Sequence, residues 1–88
     1  MSRYRVNSSP TAIADLATIW TGLKDRSAVS AASDTADIEL ADDPKGAGDH
    51  LSEGLWLLKV APLRLYFTID EDDLLVTITN VRFDLPPQ

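Results

Sequence analysis

The 88 residues are enough for one domain with a modest core, and a content of 44% hydrophobic and 25% charged residues excludes wholesale disorder. Fourteen acids against eight bases leave a net charge of −6, which argues against broad nucleic-acid binding but not against a local basic patch. The lack of cysteine excludes disulfides, thiolate catalysis and Cys-based zinc sites, the lone His50 cannot build a multi-histidine metal centre, and no cofactor or metal is expected.

No run approaches the length of apolar sequence that a membrane span needs, and the opening "MSRYRVNSSPT" lacks the apolar core of a signal peptide. The expectation is a soluble cytoplasmic protein with a single domain over residues 1–88.

"RYRV" (3–6) alternates polar and apolar residues and predicts a short strand with Tyr4 and Val6 on its inner face. Next, Ser9 is a good helix N-cap and Pro10 suits the first helical position, whose N–H needs no partner. Ile13, Leu16, Ala17, Trp20 and Leu23 follow at helical spacing, with Ile19 widening the stripe, and predict an amphipathic helix whose Trp20 lies in the core.

"KDRSAVSAASDTADIELADD" is rich in alanine but also in Ser, Thr and Asp. Its thin stripe of Val29, Ala32, Ala36 and Leu40 overlaps a second one of Ala28, Ala31, Ala32, Thr35 and Ile38. Such small residues suggest a helix packed closely on the first, as an αα-hairpin linked around Lys24 to Ser27. "DDPKGAG" (42–48) stops it, and "DHLSEG" reads as a loop or single turn.

Three strand-like runs close the chain: "LWLLKVA" (55–61), "LRLYFTI" (63–69) and "LLVTITNVRF" (74–83). In the second, Leu63, Leu65, Phe67 and Ile69 share one face while Arg64, Tyr66 and Thr68 share the other. The third alternates through Leu74, Val76 and Ile78, then changes phase near Val81. Short turns at Pro62 and at "DEDD" (70–73) require antiparallel neighbours. The class is α+β, with the order β-α-α-β-β-β.

This order resembles that of the RelE/ParE superfamily of bacterial type II toxins. The likeness is carried by "YRVNSSPTAIADLATIW", "DIELADDPKGAGDHLSEG", "PLRLYFTID", with Arg64 followed three residues on by Phe67, and "LLVTITNV", and spans roughly residues 3 to 83. It implies a curved antiparallel sheet with a two-helix hairpin on one face. It further implies a cognate antitoxin, and one of two activities: RelE-like cleavage of mRNA in the ribosomal A site, or ParE-like poisoning of DNA gyrase. A catalytically inert protein-binding module of the same fold is the alternative.

RNA cleavage needs the 2′-OH to lose a proton and attack the adjacent phosphate, while cations stabilise the charge that develops. Arg64, Lys59 and Arg82 are the candidate cations, and Tyr66 is a candidate to stack on a base or donate a proton. Each has a plainer reading as a solvated sheet residue. In the nuclease branch of the superfamily an arginine follows the last-strand valine by three residues; counted from Val81 that place is Asp84, and Arg82 stands out of register, one residue past Val81. The chain ends "FDLPPQ", without the terminal tyrosine typical of that branch, which tilts the reading towards a protein-directed mode. The acids concentrate in residues 34–53 and in "DEDD", where they read as a solvated helix face and a polar turn.

Overall fold

The computed structural model describes residues 4–22 and 26–83. Arg3, Leu23, the helix link at Lys24 and the tail from Asp84 lie outside the described residues. In chain order the elements are β1 (Arg5–Ser8), α1 (Pro10–Gly22), α2 (Arg26–Asp42), α3 (Pro44–Ala47), β2 (Asp49–Ser52), β3 (Leu55–Val60), β4 (Leu63–Asp70) and β5 (Leu75–Phe83). They form a five-stranded sheet in the order β1-β5-β4-β3-β2.

β2 to β5 pair antiparallel, as their short connections demand. β1 departs from the expected all-antiparallel sheet: it lies parallel to β5, with Arg5 opposite Leu75 and Ser8 opposite Ile78. The chain between β1 and β5, with the helices and β2 to β4, supplies the long connection that a parallel pair requires. β1 also starts later than expected and runs on through Asn7 and Ser8.

Alternation along the strands builds the core. Leu58 of β3, Leu63, Leu65 and Phe67 of β4, and Val76, Ile78 and Val81 of β5 are buried against Ala12 of α1 and Val29, Ala32, Ala36 and Leu40 of α2. The stripe Val29-Ala32-Ala36-Leu40 is therefore the inner face of α2, and its small residues bring the helix close to the sheet. α2 rests on β1, β3, β4 and α3 rather than mainly on α1, as had been expected from its alanines.

For α1 the inner face is turned from the expected one. Ala12 is fully buried and Leu16 and Ile19 pack on the core, whereas Ile13 is 57% and Trp20 40% exposed. The helix is set by its cap: the Ser9 hydroxyl accepts the Ala12 N–H at 3.1 Å. An open groove of about 350 Å³ runs between the two helices, with Trp20 and Leu16 on one wall and Val29 and Asp34 on the other.

Pro44 does more than end α2. It begins the short α3, whose N-cap Asp43 accepts the Gly46 N–H at 3.1 Å. β2, where the sequence predicts a loop or single turn, pairs with β3 instead, placing the His50 ring 4.8 Å from that of Trp56. Trp56 in turn stacks on Phe67 at 6.4 Å, so it is a core-margin residue and His50 its outer cover. Gly48, between α3 and β2, passes so near Phe67 that a Cβ there would lie 2.6 Å from the ring.

Candidate functional site: a cationic row on the open sheet face

Both helices cover the same face of the sheet, so the residues that alternate with the core occupy the other. On β4 these are Arg64, Tyr66 and Thr68, all half-buried. Lys59 of β3 is directly opposite Arg64, and Arg82 of β5 is directly opposite Arg64 from the other side. Lys59, Arg64 and Arg82 thus make one row across three adjacent strands, spanning about 10 Å at ordinary strand spacing. The next row holds Asp49, Leu57, Tyr66 and Asn80.

Arg82 stands in this row because of a β-bulge. The β4–β5 register shifts between Tyr66 and Phe67: Tyr66 faces Asn80 while Phe67 faces Ile78, leaving Thr79 as the extra residue. This is the phase change visible in the sequence. It lets Ile78 and Val81 both enter the core, three residues apart, and turns Arg82 to the open face. Arg82 is thus aligned with Arg64 across the strand pair, while it still stands one residue past Val81 rather than three.

Side chains hold the bulge on both flanks. Thr79 Oγ1 donates to the Tyr66 carbonyl at 3.2 Å. β1 ends at Ser8, so from Ile78 onward β5 meets α1 instead of a strand. There the Ser9 N–H donates to the Ile78 carbonyl at 2.9 Å, the Ser9 hydroxyl donates to the Thr79 carbonyl at 3.0 Å, and an Asp15 carboxylate oxygen accepts the Val81 N–H at 3.0 Å. Asp15, Thr79 and Asn80 were missed by sequence reasoning; the one signal was an acid at position 15, between the inner-face positions 12, 16 and 19 of α1.

Three cations share the row, and the adjoining row carries the acid Asp49. Like charges directly opposite on a sheet are destabilising, and a solvated face is ordinarily laced with opposite signs. The acidic turn lies at the far end of β4, with Asp70 about 20 Å along the strand from Arg64. It is committed to local structure: Asp70 Oδ1 accepts the N–H groups of Asp72 and Asp73 at 3.1 and 3.2 Å. Glu71 pairs with Lys45 of α3. Chemically, the row can hold a phosphodiester through three cations beside a tyrosine ring able to stack on a base. No helix among the described residues is long and apolar enough to cross a membrane.

The fold agrees with one comparison. A chain in the crystal structure of the toxin–antitoxin complex RelBE2 from Mycobacterium tuberculosis superimposes with a TM-score of 0.78 at 26% identity, covering 94% of this chain and 93% of that one. No family profile and no curated protein sequence matches the chain.

Proposed function

We propose that this chain, which has a RelE-type toxin fold, is the toxin of a toxin–antitoxin pair and acts on messenger RNA during translation, with the row Lys59-Arg64-Arg82 gripping the scissile phosphate. The alignment of three cations on an open face is the observation that carries the reading. In cleavage the 2′-oxygen attacks the adjacent phosphorus and its proton leaves to water. The row stabilises the extra negative charge on the phosphorane oxygens. The bond to the 5′-oxygen breaks, that oxygen takes a proton from the Tyr66 hydroxyl, and a cyclic phosphate remains. The partner is a cognate antitoxin, as in the RelBE2 complex.

The test is induced expression in bacteria without an antitoxin, with cuts in translated mRNA mapped by primer extension. Growth arrest with cuts at codon-defined positions is expected. Arg64→Ala should lower cleavage about 100-fold or more, by loss of one charge-stabilising group, and restore growth. The net charge of −6 favours a second, protein-directed reading: arrest without cuts, together with inhibition of gyrase supercoiling, would establish it. Normal growth with folded protein present would leave the inert binding module.

A further inference from the structure

The bulge raises a question that the cation row does not answer by itself: what keeps Arg82 on the open face? A register slip of one residue turns every following side chain over. Without the extra residue at Thr79, Arg82 would fall on the face of Val76 and Ile78, under the helices. Burial of Val81 opposes that slip, since it is 1% exposed. Yet the bulge also leaves backbone groups that no strand can satisfy, because β1 has ended at Ser8. Asp15 of α1 and the N-cap Ser9 before it satisfy them, and Thr79 ties the bulge to β4. An unpaired N–H at a half-buried site is costly, so the carboxylate of Asp15 favours the bulged register over any register that withdraws the Val81 N–H.

We infer that Asp15, through the bulge it clamps at Thr79, is the positioning residue for Arg82 and so completes the phosphate-binding row from the opposite face of the sheet. The inference rests on the proposal that this row binds phosphate. Asp15 touches no substrate; it acts on the backbone one residue before Arg82.

The test is binding of the full chain to a single-stranded RNA oligonucleotide over a range of salt, with urea unfolding run on each variant to establish that it is folded under assay conditions. Arg82→Ala should weaken binding about tenfold and make the log–log salt slope shallower by about 0.7, the signature of one lost phosphate contact. Asp15→Ala should do the same, and should add little when combined with Arg82→Ala, because both remove one contact. Asp15→Asn, which keeps an acceptor oxygen for the Val81 N–H, should retain wild-type binding. Should Asp15→Ala fail to fold, Thr79→Ala loosens the bulge from the β4 side and is read by the same slope. A folded Asp15→Ala or Thr79→Ala chain with wild-type affinity and slope, or losses that add to those of Arg82→Ala, overturns the inference while Arg64→Ala still weakens binding. If Arg64→Ala binds as wild type does, or the wild-type chain binds no RNA, the phosphate-binding row itself falls.

Discussion

Val76 and Arg82 are an even number of residues apart, and in an unbroken strand they would point the same way. That they do not is the work of one residue, Thr79, and the candidate site depends on it. Single residues act on stability as well. Asp37 on α2 has its carboxyl held above the usual range, first by partial desolvation and then by the charge of Asp34 one turn earlier. The folded chain therefore binds this proton more tightly than the unfolded chain does. The stability it contributes is present below the ordinary carboxylate range and is lost as pH rises through the raised value. Asp37→Asn should accordingly raise the melting temperature at pH 7, with the gain vanishing in acid. A gain that grew towards acid pH would contradict this assignment.

Among elements, β4 was the most legible in the sequence and α1 the least. β4 alternates without interruption, so its inner and outer faces, and the sharing of one face by Arg64 and Tyr66, followed from period alone. The inner stripe of α2 was equally plain, since Val29, Ala32, Ala36 and Leu40 are all buried. α1 carries apolar residues around most of its circumference, and hydrophobicity alone could not say that Ala12 faces the sheet while Ile13 and Trp20 face outward. The row across β3, β4 and β5 was half legible. The tight turn at Pro62 suggested Lys59 beside Arg64, but Arg82 depended on a bulge whose clamp comes from a residue 66 positions away. β2 was hidden because its four residues are all exposed and carry no core pattern. The entry to β2 offers a test. Any side chain at Gly48 meets the fully buried Phe67 ring, which has no room to withdraw. Gly48→Ala should cost about 1–3 kcal/mol in urea unfolding, whereas a neutral substitution would mean that α3 and β2 can shift away from the ring.

For the molecule as a whole, an acidic protein with a small cationic face is a coherent design. The net charge of −6 limits unspecific attraction to nucleic acid, so the proposed grip on phosphate would rest on local geometry rather than on bulk charge. That face is built from β3, β4 and β5, whereas β1 and the helices support it from the far side.

The parallel pairing of β1 with β5 joins Arg5 to Leu75, across nearly the whole described chain, whereas β3, β4 and β5 are joined by short turns. Closing the long loop costs more chain entropy than closing the hairpins, so the three-strand meander should order first and β1 should dock last. Leu65→Ala, within the meander, should chiefly slow refolding, while Val6→Ala, on β1, should chiefly speed unfolding; a stopped-flow chevron for each variant measures the partition. The same asymmetry makes β1, with the adjoining start of α1, open at lower energy than the meander in the native state, so its amides should exchange with deuterium before those of β4.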